Sequence, residues 1–270
     1  MTIKKIFLSI IIAIFFLTIG CAKTQTTDDD PTPEPEPEPK EEIVLEKSNY
    51  TIMTGTTVET TVYVFKSNVS GPTVFITGGT HGDELAGWHA ALKLLERDDY
   101  RGTVIIIPRL NRLACELEQR YPGTVDGVKY TDLNRAFPGD ENGTITQQLA
   151  YAIQEEILKY DPKYVIDLHE SRGSYTGGQR LGDQLLWGNA KTALMLEDVL
   201  EIYNTKYLEE GDAPFMLDGP GVEHSLNYWV GTVLGKYEFT VETSRLLALD
   251  KRISQQLNII NSFFEYIWNK

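Results

Sequence analysis

The segment "TVFITGGTHGDE", residues Thr73 to Glu84, joins an apolar run to two glycines and then to a histidine and a glutamate. The β-branched and aromatic residues of the run favour a strand. The glycines allow the backbone to turn sharply, and His81 and Glu84, three positions apart, would project the same way from a first helical turn. A strand, a tight turn and a helix in this order predict one unit of an α/β fold.

Strands and helices alternate along the rest of the chain. Further strands are predicted in "TVYVF", "TVIIIPRLN", "YVIDLHES" and "KYEFTVETS", helices over residues 83–97, 145–160, 191–208 and 249–268, and a long loop over residues 112–142. Thr144 and Gln147 are spaced as in a capping box. The alternation predicts a single three-layer α/β/α domain with a mixed, largely parallel sheet.

The first 21 residues indicate an export signal. Lys4 and Lys5 precede an apolar run over residues 6–19, which ends at Gly20 and Cys21. These features resemble the bacterial lipoprotein signal, in which the cysteine becomes lipidated and N-terminal after cleavage. An uncleaved membrane anchor is the alternative. Both interpretations place the following domain outside the cytoplasm, anchored at the cell surface or on the periplasmic face.

Residues 22–42 alternate proline with glutamate and lack the apolar side chains that a core needs. They predict an extended, solvated tether, which leaves residues 43–270 as the globular domain. The tether carries eight acidic side chains against two lysines and the signal carries two more lysines, so the globular domain accounts for about −10 of the net charge of −14. A domain this acidic, without a basic cluster, argues against nucleic acid and favours small-molecule or peptide ligands.

Polar residues at strand ends are the candidates for a site, because ligands of open α/β sheets bind beyond the carboxyl ends of the strands. His81 and His169 are the two of four histidines at such ends. A catalytic zinc ion takes three nitrogen or carboxylate ligands from the protein and leaves a fourth position for water. His81, Glu84 and His169 are therefore the predicted ligands of one zinc ion. Asp167, on the same side of its strand as His169, is predicted to orient that imidazole or to hold a nearby loop.

The other two histidines have a different interpretation. A His-x-x-Glu pair by itself is more often a solvated helix start than a pair of metal ligands. The zinc prediction therefore depends on His169, the second histidine at a strand end. His89 shares a helical face with Trp88, which indicates a packed side chain. His224 lies in a loop and has no predicted role.

Glu242 in "FTVETS" is a lone acid among strand residues at a predicted carboxyl end. A buried carboxylate there needs a partner or a catalytic task, so Glu242 is the predicted general base, with a structural salt bridge as the alternative. Hydrolysis of an amide also needs a positive group near the carbonyl oxygen, where negative charge develops. The long loop supplies two basic candidates, Arg120 and Arg135. Asn134 and Arg135 are predicted to bind a substrate carboxylate, since a guanidinium binds carboxylates bidentately and the amide adds a donor.

Five motifs, "GGTHGDE", "QRY", "DLNRAFPG", "DLHE" and "VETS", follow one another from Gly78 to Ser244. In this order they resemble the succinylglutamate desuccinylase and aspartoacylase family, whose catalytic fold is shared with the zinc carboxypeptidases. The resemblance implies the same zinc ligands and the same general base as the residues suggest. It implies further roles in the loop.

The implied loop roles fall on four residues. The arginine that polarises the scissile carbonyl in the family matches Arg120, and the pair that grips the substrate carboxylate matches Asn134 and Arg135. Asp132 matches the aspartate that braces the first zinc histidine in the carboxypeptidases. The resemblance gives no match for the residues that select aspartate or glutamate substrates.

The sequence therefore predicts an exported zinc-dependent hydrolase that cleaves an amide bond near a substrate carboxylate, as a deacylase of N-acyl amino acids. A metallocarboxypeptidase acting on peptides or cell-wall stem peptides is one alternative, because a terminal carboxylate would suit Asn134 and Arg135 equally well. A non-catalytic surface protein that retains the fold is another. Its mark would be a missing ligand or base, and the sequence has all of them.

Overall fold

A sheet of eight strands forms the centre of the computed structural model, which describes residues 42–173 and 182–270. The predicted signal over residues 1–21 and residues 22–41 of the predicted tether lie outside the described residues. The described residues belong to one compact unit. Within them, no helix combines the length and the apolar composition that crossing a membrane requires.

The secondary structure alternates as follows. The strands are β1 (Leu45–Ile52), β2 (Thr60–Ser67), β3 (Thr73–Gly78), β4 (Thr103–Ile107), β5 (Thr124–Val125), β6 (Val128–Lys129), β7 (Tyr164–Ser171), β8 (Gln184–Trp187), β9 (Met216–Asp218) and β10 (Tyr237–Ser244). The helices are α1 (Leu85–Leu94), α2 (Arg112–Leu117), α3 (Ile145–Tyr160), α4 (Ala190–Lys206) and α5 (Leu249–Trp268), with a 3₁₀ turn at Leu133–Arg135 and a π-helical segment at Tyr228–Val233.

The large sheet has the strand order β1-β2-β4-β3-β7-β10-β8-β9. Its four central strands, β4, β3, β7 and β10, run parallel to one another, whereas β2 is antiparallel to β4 and β8 is antiparallel to β10. The short strands β5 and β6 form a separate hairpin. The prediction of a mixed, largely parallel sheet is therefore confirmed.

Two apolar clusters cover the two faces of this sheet. Alternation along β3 shows the division, because Val74 and Ile76 belong to one cluster and Phe75 to the other. The first cluster includes α1, α4 and α5, and the second includes α3. The predicted three-layer arrangement is confirmed, and α3 begins with the predicted capping box between Thr144 and Gln147.

The predicted long loop over residues 112–142 is wrong in part, because α2, the β5–β6 hairpin and the 3₁₀ turn lie within it. These elements are too short to show a hydrophobic period. Asn111 starts α2, since its side chain accepts a hydrogen bond from the backbone N–H of Ala114 at 3.4 Å. Strands β1, β8 and β9 are absent from the prediction. They lie toward the sheet edges, where pairing with a neighbour holds a strand that has little apolar pattern of its own.

Helix α1 lies unusually close to β7. A Cβ atom at Gly87 would come within 2.2 Å of the backbone oxygen of Leu168, so only glycine fits there. The helix starts at Leu85, two residues later than predicted, because the backbone N–H of Glu84 bonds back to the carbonyl oxygen of His81 at 3.4 Å. This turn places Glu84 directly beside the carboxyl end of β7.

Candidate metal centre

The site residues come from strands that are neighbours in the sheet. His81 and Glu84 follow β3, His169 lies near the carboxyl end of β7, and Glu242 lies in β10. Glu242 pairs with His169 in the parallel register of β7 and β10. Residues from three distant segments of the chain thus meet at one edge of the sheet.

His81, Glu84 and His169 form a buried cluster in which each residue offers one ligand atom within 4.8 Å of the others. Nδ1 of His81 lies 2.7 Å from Oε1 of Glu84, and Nδ1 of His169 lies 2.7 Å from Oε2 of the same carboxylate. The structure therefore brings together all three predicted ligands. Two imidazole nitrogens and a carboxylate are a donor set that suits zinc.

Carboxylates hold the far side of both imidazoles. Nε2 of His81 lies 3.0 Å from Oδ1 of Asp132, and Nε2 of His169 lies 2.6 Å from Oδ2 of Asp167. Thr77 donates a hydrogen bond of 2.8 Å to Asp167 and so fixes that carboxylate. A carboxylate at Nε2 keeps the proton on that nitrogen and leaves the Nδ1 lone pair for a metal ion. The two imidazoles are thus oriented as metal ligands.

The electrostatics of the cluster follow from these contacts. Burial by itself would lower the pKa of both histidines, but the carboxylates around them raise the pKa of His81 above its ordinary value and that of His169 well above it. Burial would likewise raise the pKa of Glu84, but His169 and His81 hold it well below the usual range. The buried carboxylate of Glu84 stays charged because the two imidazoles compensate its charge. A divalent cation bound between these three side chains can provide the same compensation.

Glu242 is the least compensated acid of the site. Its side chain is buried, and Oε2 has no hydrogen-bond partner in residues 42–173 and 182–270. Burial raises the pKa of Glu242 to about 8, against the attraction of His169. The alternative of a structural salt bridge finds no support, since Glu242 is in no ion pair among the described residues. A carboxyl group placed in this way can take up and return a proton.

Arg120 and Asp132 join the loop to the cluster. Nε and Nη2 of Arg120 donate to Oδ2 of Asp132 at 3.1 and 2.9 Å, and Nη1 lies 3.5 Å from Oε1 of Glu84. Burial would raise the pKa of Asp132, but His81 and Arg120 hold it well below its usual range. Asp132 thus touches His81, as the resemblance implies, and orients the guanidinium of Arg120 beside the ligand cluster.

The predicted carboxylate-binding pair lies on the next part of the same loop. The side-chain oxygen of Asn134 accepts a hydrogen bond of 3.0 Å from the backbone N–H of Leu226, which fixes the amide. Arg135 is exposed, and Nη1 donates to the carbonyl oxygen of Asn134 at 2.6 Å. No carboxylate of the described residues pairs with Arg135. Its guanidinium is available to an anion in the cavity.

One cavity of about 660 Å³ opens onto these groups. Its lining contains seven of the eight predicted site residues, and the eighth, Asp132, lies behind Arg120 and His81. The seven are His81, Glu84, Arg120, Asn134, Arg135, His169 and Glu242. Catalytic candidates and substrate-binding candidates therefore share one space.

Known proteins are similar to this chain in sequence and in fold. Residues 70–177 match the family described as the succinylglutamate desuccinylase/aspartoacylase catalytic domain. The chain is similar to this family over those 108 of its 270 residues, which include His81, Glu84 and His169. The zinc carboxypeptidase-like fold expected from the motifs is confirmed by solved structures.

Two solved structures show the fold. A D,L-carboxypeptidase from Helicobacter pylori, bound to mDAP, superposes with a TM-score of 0.64 at 21% identity over 73% of this chain and 51% of its own. A succinylglutamate desuccinylase from Silicibacter superposes with a TM-score of 0.61 at 21% identity over 83% of this chain and 67% of its own. At these identities the likeness shows the fold alone.

A curated relative is closer in sequence. The N-alpha-acetyl-L-2,4-diaminobutyric acid deacetylase of Halomonas elongata is 40% identical over 102 residues, which are 37% of this chain and 28% of that protein. The chain thus matches less than a third of the length of this relative.

Arg245 lies outside the five motifs and is not among the predicted site residues. Its Nη1 donates to Asp83 at 3.0 Å and its Nη2 lies 3.5 Å from Oε1 of Glu84, so it joins the end of β10 to the turn after β3. Its position directly after a polar strand end was the sequence feature that could have identified Arg245 as a site residue.

The other two histidines do not line the cavity. His89 stacks on Trp88 with 3.8 Å between the ring centroids, and Nδ1 of His224 lies 3.1 Å from the carbonyl oxygen of Phe137.

Replacing Asp167 by asparagine should weaken zinc binding by about 10- to 100-fold, because the carboxylate that orients His169 is lost while the three ligands remain. Zinc affinity is measured by competition with a chromophoric chelator. Asp98→Asn is the matched control, since Asp98 is an exposed acid in the connection before β4, away from the cavity. Equal affinities for the two variants would contradict the orienting role.

Proposed function

We propose that this domain is a zinc-dependent hydrolase that cleaves an amide bond next to a substrate carboxylate, as a deacylase of N-acyl amino acids. The observation that carries the proposal is one cavity lined by three converging metal ligands, by the buried carboxyl group of Glu242, whose Oε2 has no partner among the described residues, and by Arg120 and Arg135. The activities for which the family is named, and the deacetylase relative, support the reaction type.

Zinc, held by His81, Glu84 and His169, would supply Lewis-acid polarisation of the scissile carbonyl and of a water molecule. Glu242 takes a proton from the attacking water and passes it to the leaving amine as the C–N bond breaks. Arg120 donates to the carbonyl oxygen as negative charge develops there, because Asp132 holds its Nε and Nη2 and leaves Nη1 toward the cluster. Each step uses a group already in place.

The substrate is oriented by its carboxylate in this proposal. Arg135 offers two parallel N–H donors and the amide of Asn134 adds another beside them. Because the carboxylate is held in place, the amide to be cleaved lies at a fixed distance from it. Part of the binding energy is thus used to align that amide with the metal ligands and Glu242.

A metallocarboxypeptidase is the second candidate. The cavity of about 660 Å³ favours it, because this volume is large enough for more than one residue of a peptide. In that reaction Asn134 and Arg135 would hold the terminal carboxylate of a peptide, including a cell-wall stem peptide. The groups that perform the chemistry are the same.

The purified domain should contain about one zinc per chain, and Glu242→Gln should lower kcat by about 10²- to 10⁴-fold while the zinc content stays unchanged. Glutamine keeps the size of the side chain but cannot accept the proton. Metal content is measured by atomic emission and kcat on N-acetyl amino acids and dipeptides. A metal-free domain that still hydrolyses substrate would refute the mechanism.

Amidation of the substrate carboxylate should lower kcat/KM by about 10²-fold, because two charge-assisted hydrogen bonds are lost. Arg135→Gln should cost a similar factor and make the enzyme indifferent to amidation, whereas Arg101→Gln, before β4, should change neither value. Comparing N-acyl amino acids with short peptides in the same assay separates the deacylase from the carboxypeptidase. Hydrolysis of free and amidated substrates at equal rates would exclude the carboxylate-binding role.

We propose further that the protein is exported and held at the membrane through lipidated Cys21, on the support of the basic start, the apolar run and the cysteine within residues 1–21. The unaltered protein should incorporate labelled palmitate and begin at Cys21 when its mature N-terminus is determined, and Cys21→Ser should abolish the labelling. An unaltered protein that takes up no label and keeps residues 1–20 would indicate the uncleaved anchor instead.

A further inference from the structure

Most charged side chains around the cavity are compensated by a neighbour. Arg120 pairs with Asp132 and Arg245 with Asp83, and Glu170 pairs with Arg252. Arg172, which is exposed, lies 3.5 Å from Asp83. Apart from the general base Glu242, two lining groups of the described residues have no oppositely charged partner, namely Arg135 and Asp218. They have opposite signs.

Asp218 ends β9, the edge strand of the sheet, where it pairs with Leu186 of β8. Its side chain is half-buried, and Oδ1 accepts a hydrogen bond of 2.8 Å from the backbone N–H of Gly219. Gly219 has a φ of 145°, and a Cβ there would come within 2.4 Å of the carbonyl oxygen of Trp187. The backbone around Asp218 is therefore pressed against β8, which fixes the carboxylate at the cavity wall.

Hydrogen bonds tie this wall to the carboxylate-binding pair. Asn227 donates from its side chain to the carbonyl oxygen of Leu186 at 3.1 Å, and the next residue back, Leu226, donates from its backbone to Asn134 at 3.0 Å. Two consecutive residues thus connect Asn134 to the strand beside Asp218. Asp218, Asn134 and Arg135 all line the same cavity of about 660 Å³.

We propose that Asp218 binds a cationic group on the side chain of the amino acid whose carboxylate is held by Asn134 and Arg135. The substrate class is then an N-acyl or peptidyl derivative of a diamino or other basic amino acid. This proposal rests on the proposed function, because it takes the carboxylate-binding role of that pair as given. It adds the side-chain selectivity that the family motifs leave unassigned.

The physical reason is the cost of partial burial. The half-buried carboxylate of Asp218 loses hydrogen bonds to water when a ligand fills the cavity. An apolar ligand side chain forms no hydrogen bond that replaces them. An ammonium group gives a charge-assisted hydrogen bond in return and therefore favours the basic ligand by about 10- to 100-fold over a neutral ligand of the same length. The same difference makes the site selective against acidic side chains, which would face Asp218 with a like charge.

Binding of free amino acids tests the proposal, because the deacylase and the carboxypeptidase would release the same product. Zinc-loaded protein is titrated calorimetrically with L-ornithine, L-lysine, L-norvaline and L-norleucine. We expect the two basic ligands to bind about 10- to 100-fold more tightly than the neutral ligands of matched length. Asp218→Asn should remove this preference and leave the affinity for norleucine within about 3-fold.

Glu223→Gln is the control variant. Glu223 is an exposed acid in the connection that follows Asp218, and its side chain does not line the cavity. The preference for basic over neutral ligands should therefore persist in this variant. Equal binding of basic and neutral ligands by the unmodified protein would overturn the proposal without any variant, as would an unchanged preference in Asp218→Asn. Failure of the proposed hydrolase function gives another result. In that case the protein prefers basic ligands, but it hydrolyses no acyl amino acid or peptide.

Discussion

The buried carboxylate of Glu84 is the contact on which the rest of the site depends. Its two oxygens lie 2.7 Å from the Nδ1 atoms of His81 and His169, and Arg120 and Arg245 each come within 3.5 Å of Oε1. A buried charge is costly unless its neighbours compensate it. Four side chains from separate parts of the chain do so here. The arrangement holds only when all of these segments are folded around one carboxylate.

The order of the strands makes this convergence possible. β3, β7 and β10 are adjacent and parallel, so the residues at their carboxyl ends meet at one edge of the sheet. Gly87 lets α1 lie directly on β7, and the turn before that helix brings Glu84 to His169. The neighbouring strand places Glu242 opposite His169, and no residue within 42–173 or 182–270 forms an ion pair with Glu242. The proposed metal ligands and general base are thus held at the ends of the central strands, while the groups proposed to orient a substrate lie on loops and at the sheet edge.

Much of this was predictable from local pattern. The central strands and the long helices have clear periods, and polar residues directly after strands marked His81, His169 and Glu242 as site candidates. Other elements escaped prediction for a physical reason. Strands β8 and β9 have four and three residues, and their identity as strands comes from pairing with β10 and with each other. Asp218 was therefore not recognisable as a lining residue.

The sequence by itself determined the types of residue available for chemistry and the elements on which they lie, because side-chain alternation and turn residues are local properties. It did not determine which strands become neighbours. The contacts of Arg245 with Asp83, and of the 226–227 segment with Asn134 and Leu186, arise only in the folded chain. Each joins residues whose relative orientation depends on packing and strand order, so the tertiary structure alone decided the geometry of the site and which charges stay unpaired among the described residues.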